Sequence, residues 1–520
     1  MFTYDVAQPT DQMLLSEILN LNNGEPLDID AFLRRDLVVV IQDRNELAGR
    51  YPRSRNREMD EISQQRNTTA QLMLAGVAAE DRATQAFFMR FPRERHGLEL
   101  AATLLAKIKS DRGKLDVVLG LQQLLIYKIA GCDIRIARLQ KAQQRIPRIL
   151  ARPEFRTGGK TLKARSSMLK KLRKGIMARI KDVRHLAYLW RCFGDGIASV
   201  YQSQHALRHL LYNDKYEVKA TAGALYGKEG FGHEYAVLKN GIEMGVPVVM
   251  SDLTNIIRHG DLCALAGPDP VPLELKSSTL TGSRIVRQAE QLQKITSFYE
   301  NDEARDFRGS IRIVRTEMVT EEIDHRELLN AGMREALETG LWSESPEPGL
   351  RYICYHTAMP ENPERVFAEI NAGATPATWV TPLAPEISWL PAYPFTLSMS
   401  PQNAVLFMQE SVAVVVLIDL EVTKNLFREQ GVHCVWLMDG THSMQICRDP
   451  DNLMKGAYRV SECLFQRISK EFLSLSWFVQ ERSQIFDVDL RSALNISDIA
   501  PEEIITEPLP GWTDARDFYN

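Results

Sequence analysis

The periodicity of the chain changes once, near Tyr212, and that change limits what it can fold into. From about residue 11 to residue 211 the sequence is poor in Gly and Pro, and Leu, Ala, Gln, Arg and Glu recur at spacings of three and four, as in Leu98-Leu100-Leu104-Leu105 and Leu119-Leu121-Leu124-Leu125. That spacing predicts helices. Beyond Tyr212, short β-branched runs at 246–250, 261–266, 271–276 and 311–314 are separated by Gly and Pro, which predicts strands mixed with helices. Further helices are expected near 283–299, 325–339 and 464–478 and strands near Tyr352 and over 412–418. Residues 375–399, with five prolines beside Trp379 and Trp389, read as a long ordered loop. A chain of 520 residues is larger than one hydrophobic core sustains. The expectation is a multidomain α+β protein: a helical N-terminal region (1–130), a basic helical hairpin (131–212), a central α/β core (213–320) and a C-terminal α/β region (321–520).

Charge is distributed unevenly. Between residues 135 and 184 there are 17 Lys or Arg against only Glu154 and Asp182, in a chain of net charge -4. Pro153 and the Gly158-Gly159 pair place a turn between two basic helices over 152–159. A dense Lys/Arg surface is suited to neutralising phosphates, so Arg165, Lys170, Lys171, Arg173 and Lys174 are candidate nucleic-acid contacts. The competing uses are a solvated helix face and an acidic surface on another subunit, and the sequence leaves a homo-oligomer open. Seven scattered cysteines without a C-x-x-C pair predict neither a disulfide framework nor a zinc ribbon. With no signal-peptide pattern, and an apolar stretch at 411–418 far shorter than the roughly 20 residues of a membrane span, the expectation is a cytoplasmic protein with no membrane partner.

The chemistry-bearing stretch runs from Arg258 to Ser278. Gly267-Pro268-Asp269-Pro270 has turn chemistry between two strand-like runs and predicts a β-hairpin. With that four-residue loop, Asp261 falls opposite Lys276 and Cys263 opposite Glu274, so that Asp261, Glu274 and Lys276 share one face. Carboxylates are natural ligands for Mg²⁺, which neutralises phosphate charge and activates water. A neighbouring lysine can orient or deprotonate that water and stabilise developing negative charge. The bland alternative is a solvated hairpin face with a salt bridge.

These residues resemble the PD-(D/E)XK, or restriction-endonuclease-like, nuclease superfamily over residues 227–316. The resemblance implies a core of helix, three-stranded meander, helix and strand (αβββαβ), with Asp261, Glu274 and Lys276 catalytic and Mg²⁺, or Mn²⁺ in its place, as cofactor. Upstream, Gly232-His233-Glu234 opens a helix whose Glu234 stands where many members carry a further metal ligand. Downstream, Ser283 caps the next helix. Gln291 is followed four residues later by Ile295 rather than Tyr, which departs from the exonuclease-like signature. The implied function is a metal-dependent DNA endonuclease, with RNA as the alternative substrate, and large accessory regions around a small core resemble stand-alone bacterial anti-phage defence nucleases. The alternatives are a structure-specific repair or recombination nuclease and a non-catalytic DNA-binding scaffold.

Other signals weigh less. Glu217-Val218-Lys219 is a second E-x-K triplet whose upstream sequence reads as helix, with no facing aspartate. Gly158-Gly159-Lys160-Thr161 lacks the first glycine of a phosphate loop, the position being Glu154. His433, Cys434, His442 and Cys447 read as core and incidental residues, Trp379 and Trp389 as packing, and His233 and His259 as structural neighbours of the candidate site.

Overall fold

A computed structural model describes residues 91–486 apart from 92–93, 152–159, 214–215, 220–222, 229, 276–282, 309, 316–317, 319, 358–361, 376 and 452–456. The chain mixes helices with small antiparallel sheets, an α+β protein. Described residues divide into two compact units, one from the chain up to Ser203 with Ala220–Thr281, the other from Gln204–Lys219 with the chain from Gly282 on. The segment 213–320, expected as one core, thus contributes to both.

Among the described residues the first unit is built on three long helices: α1 (Arg95–Ser110), α2 (Leu115–Leu150) and α3 (Lys160–Tyr201). The Leu periodicity becomes a buried seam in which Leu98, Leu105, Leu121, Leu125, Leu186, Leu189, Trp190 and Phe193 are all solvent-excluded. By length and composition the stretch Leu115–Arg148 of α2 could cross a membrane, but 61% of its apolar window is buried inside the protein, as in a core helix. At 1.5 Å per residue α2 and α3 extend about 54 and 63 Å, with the expected turn between them at 152–159 outside the described residues. Toward that turn α3 loses its buried face: Lys170, Lys171, Arg173 and Lys174 are exposed, as are Met168, Leu172 and Met177. The side chain of Arg165 lies outside the described residues.

Helix α4 (Phe231–Glu243) then leads into a meander of strands β1 (Val248–Met250), β2 (Leu262–Ala264) and β3 (Val271–Leu273), ordered β1-β2-β3. The pairing differs from the expected one by two residues. Leu262 faces Leu273 and Cys263 faces Pro272 rather than Glu274, because the connection takes residues 265–270 rather than four. A shift of two preserves the alternation of faces, whereas a shift of one would have inverted it. Pro272 lies in edge strand β3, where a missing N–H is tolerated.

The second unit opens its main course with α5 (Ser283–Asn301), on the expected span, and a two-stranded sheet of β4 (Glu303–Phe307) and β5 (Ser310–Val314). Helix α6 (Arg326–Thr339), strands β6 (Leu341–Glu347) and β7 (Leu350–His356), helix α7 (Asn362–Gly373), strand β8 (Thr378–Leu383), helix α8 (Pro401–Met408) and strand β9 (Val412–Asp419) follow. Their sheet runs β6-β7-β9-β8 and is antiparallel throughout. The apolar run of β9 is paired on both sides, as a buried strand requires. The segment read as a loop over 375–399 contains β8, with Pro382 in the ladder; a proline-rich stretch hides a strand when that strand is an edge. Trp389 is buried against Phe395 and Phe407 with ring centroids 5.3 and 5.6 Å away. After α9 (Leu420–Glu429) comes a second three-stranded sheet of β10 (His433–Trp436), β11 (His442–Cys447) and β12 (Ala457–Ser461). The single terminal helix expected over 464–478 is two, α10 (Glu462–Lys470) and α11 (Leu475–Gln484), divided by Phe472 at φ 60° and by Ser474, whose hydroxyl caps α11.

Glu347 ties the end of β6 to the start of α11. Its carboxylate accepts from Ser476 N (3.0 Å), Ser476 Oγ (2.6 Å) and Leu475 N (2.5 Å) and meets His325 Nε2 at 3.0 Å. Burial opposes its charge, but His325 and the Ser476 and Leu475 donors outweigh that and bring it down to about 2. A carboxyl depressed in the folded state contributes stability that is complete above its ordinary value near 4.5 and is lost as the pH falls through about 2. Glu347→Gln should therefore lower the thermal midpoint at pH 7 and flatten its fall between about pH 4.5 and 2 relative to wild type. Parallel pH profiles for the two proteins would show that these contacts do not depend on the ionised carboxylate.

Candidate functional site

Three-residue strands provide few ladder hydrogen bonds, and the side chains of α2 and α3 make up the difference. Gln122, fully buried on α2, donates Nε2 to Val248 O (2.8 Å) and accepts from Met250 N at Oε1 (3.0 Å), pairing the open edge of β1. Gln202 at the end of α3 donates to Leu265 O and Gly267 O (2.9 and 2.8 Å), fixing the β2–β3 connection. Asp195 accepts from Asn255 N (2.6 Å), Ile256 N (3.0 Å) and Asn255 Nδ2 (2.8 Å), fixing the loop between β1 and β2. Burial pushes its carboxyl up to about 6 despite those donors. Arg191, one turn earlier, donates to Asp252 O (2.9 Å). Helix and loop approach so closely that a Cβ at Gly194 would stand 2.0 Å from Leu253 O.

This support places three carboxylates around one ammonium. Glu234 lies in the first turn of α4, Asp252 in a 3₁₀ turn (Ser251–Leu253) after β1, and Asp261 immediately before β2. The Lys228 ammonium donates to Glu234 Oε2 (2.8 Å), Asp252 Oδ2 (2.8 Å) and Asp261 Oδ1 (3.3 Å). The acids are 5, 13 and 19% exposed at the side chain and the lysine 27%. Gly260 at φ 76° turns the chain into Asp261 where a Cβ would meet Leu273 O at 2.8 Å. The second oxygen of Asp261 accepts from Leu275 N (2.9 Å), while its own N–H donates to Leu273 O (2.8 Å).

Lys228 is itself held from α2. Asp133 accepts from Leu225 N (2.7 Å) and Tyr226 N (3.5 Å), fixing the turn that leads to Lys228. Burial disfavours the Lys228 charge, but the bonds and charges of Asp252 and Glu234 prevail and raise its pKa well above the lysine range. Burial pushes Glu234 up, and the Asp261 and Asp252 charges add to that against the pull of Lys228. Arg258 is also buried; burial lowers it to about 10, and its Nε and Nη1 lack hydrogen-bond partners.

Of the residues singled out by sequence, Glu234 and Asp261 come together. Glu274 is half-buried beside Leu275, and Lys276 lies outside the described residues. Asp252 and Lys228 were not anticipated: neither stands in a motif, and only the fold brings them to the other two. Their one local signal is that Asp252 follows an apolar strand and Lys228 a Tyr-Gly turn. Glu217-Val218-Lys219 forms a small hairpin closed by a Tyr212–Val218 bridge. His259 is buried and His233 exposed. Among the described residues no group of three or more His, Cys, Asp or Glu is arranged to hold a metal ion as it stands; Glu234, Asp252 and Asp261 hold an ammonium.

No protein family matches this chain, no curated protein does, and no solved structure does.

The dependence of the site on Gln122 is measurable. Gln122→Leu keeps the volume but leaves Val248 O and Met250 N without partners, at about 1–3 kcal/mol for each buried group. Urea denaturation should show a loss of that order, and Gln122→Glu, which can still accept from Met250 N, should lose less. A Gln122→Leu protein as stable as wild type would show that β1 does not need this edge partner.

Proposed function

We propose that the chain is a divalent-metal-dependent nuclease acting on phosphodiester bonds, most simply in DNA. The observation that carries the reading is the convergence of Glu234, Asp252 and Asp261 from three separate elements onto one point beside an antiparallel meander. Glu234 and Asp261 belong to the set that the superfamily resemblance implies. The chain order of helix, three-strand meander, helix and strand from α4 to β4 is the order it implies, although β4 pairs with β5 in a sheet of its own and not with the meander.

The donor chemistry fits a hard cation: carboxylate oxygens, largely withdrawn from solvent, on backbone fixed by Gln122, Asp195 and Arg191. Glu234, Asp252 and Asp261, with Glu274 by resemblance, would hold Mg²⁺ or Mn²⁺. Such an ion supplies charge neutralisation at phosphate and a water of lowered pKa. The protein's own part is to keep the carboxylates oriented, through Leu275 N on Asp261 and the Arg191 bond behind Asp252. By resemblance Lys276 orients the attacking water and stabilises charge on the phosphate. The exposed Lys170, Lys171, Arg173 and Lys174 supply sequence-independent attraction to the nucleic-acid backbone. A role in anti-phage defence rests on likeness of build alone.

Cleavage of supercoiled plasmid, linear duplex, single-stranded DNA and RNA with Mg²⁺, Mn²⁺ or EDTA tests the reading. Asp261→Asn, Asp252→Asn and Glu274→Gln should each lower the rate by about 10²–10³, as should Lys276→Ala, while Lys219→Ala leaves it unchanged. Folded variants that all cut like wild type would return the hairpin to a structural role, and DNA binding without metal-dependent cleavage would favour the scaffold alternative.

Replacing Lys170, Lys171, Arg173 and Lys174 together by Gln should weaken DNA binding and lower the salt dependence of log K by about 0.9 for each phosphate that is no longer neutralised. A slope equal to that of wild type would assign this surface to a protein partner.

A further inference from the structure

We infer that Lys228 is an internal counter-cation that competes with a divalent metal for Glu234, Asp252 and Asp261, so that the site takes up metal only when the turn carrying Lys228 withdraws. The inference rests on the metal-site reading above and adds its regulation.

Carboxylates gathered in a buried place repel one another unless a cation lies among them. Here that cation is part of the chain. The Lys228 ammonium meets Glu234 and Asp252 at 2.8 Å and Asp261 at 3.3 Å, which uses one oxygen of each acid. A metal ion bound by the same oxygens would claim the same small volume and repel the ammonium. The two occupancies are therefore alternatives, and a metal must displace Lys228 to bind fully. The lysine has a way to leave. It is the most exposed member of the cluster at 27%, on a turn with Gly227 at φ 82°, and that turn is fastened to α2 by the Asp133 bonds to Leu225 N and Tyr226 N. Glu234, Asp252 and Asp261, in contrast, stand on a helix, a turn backed by α3 and the start of a strand. The acids are thus backed by helix and strand, and the cation by a turn held through the two Asp133 bonds. An ammonium latch of this kind also keeps the acids oriented before metal arrives, and a nuclease so built is restrained when metal is scarce.

Metal binding by itself provides the test, with Mn²⁺ as the probe and the full chain as the protein. By calorimetric titration, Lys228→Gln should bind Mn²⁺ at least about tenfold more tightly than wild type, equivalent to about 1.4 kcal/mol. Lys228→Arg, which keeps the positive charge, should not gain affinity, and adding Asp252→Asn to Lys228→Gln should abolish the gain. In EDTA, Lys228→Gln should melt at a lower temperature than wild type and recover more on addition of Mn²⁺. A variant that folds only with Mn²⁺ would also support the inference, since metal then does the work of the lysine. A second measurement needs no variant: trypsin should cut wild type after Lys228 faster at saturating Mn²⁺ than in EDTA. Equal Mn²⁺ affinity in wild type and Lys228→Gln overturns the inference; if Lys228→Gln does not fold under either condition, metal-independent cutting after Lys228 overturns it. Neither readout involves cleavage of nucleic acid. A Lys228→Gln protein that gains affinity but cuts nothing leaves the latch standing and removes the nuclease, while metal-dependent cleavage by wild type with no gain in affinity does the reverse.

Discussion

Strands of three residues do not make a stable sheet on their own, and the β1–β3 meander persists because two long helices satisfy its backbone. Gln122 pairs the edge of β1, Gln202 holds the β2–β3 connection, and Asp195 gathers the loop between β1 and β2. These are buried polar contacts with specific geometry. An unmade hydrogen bond in such a place costs more than a made one contributes, so the meander has one favourable register on this platform. The carboxylate site inherits that definition. Asp252 follows a strand whose edge is pinned by α2 and lies in a turn whose carbonyl is pinned by α3, and Gly194 permits the close approach between them.

The parts legible in the sequence were those that depend on local pattern. The Leu spacing gave the helices, the apolar run over 412–418 gave β9, and Gly232-His233-Glu234 placed Glu234 in the first turn of α4. Hairpin existence was legible from Gly267-Pro268-Asp269-Pro270, but its register was not, because Leu265 and Ala266 leave the ladder to meet Gln202 and the turn. That is a tertiary contact with no local sign. The strand β8 was hidden for the opposite reason: Pro382 argues against a strand in general, and only its position at a sheet edge removes the objection.

Asp252 and Lys228 mark where sequence reasoning stops. A carboxylate after a strand and a lysine in a turn are ordinary surface residues by pattern, and the distance of 24 positions between them carries no periodic signal. They are brought together by the β1 edge, by the Arg191 carbonyl bond and by the Asp133 turn contacts. Of those supporting side chains, Asp133 and Arg191 lie on α2 and α3 in the part of the sequence read as a basic helical hairpin, and Gln122 lies on α2 just before it. One helix pair thus serves as scaffold for the site at one end and as a charged surface at the other.

The separation has a physical consequence for any polyanionic ligand. Around the site, Asp133, Asp195, Glu234, Asp252 and Asp261 face the cations Arg191, Lys228 and Arg258, an acidic excess that does not attract phosphate. On the proposed reading the attraction comes from the exposed Lys170, Lys171, Arg173 and Lys174 toward the start of α3, and from Lys174 to Asp195 the helix advances about 31 Å at 1.5 Å per residue. On that reading, binding would fall near the start of α3 and chemistry beside its other end. A duplex laid along it would have to extend roughly nine base-pair steps of 3.4 Å to touch both. Short fragments could engage the basic end without reaching the carboxylates, so affinity and reaction would depend on ligand length in different ways.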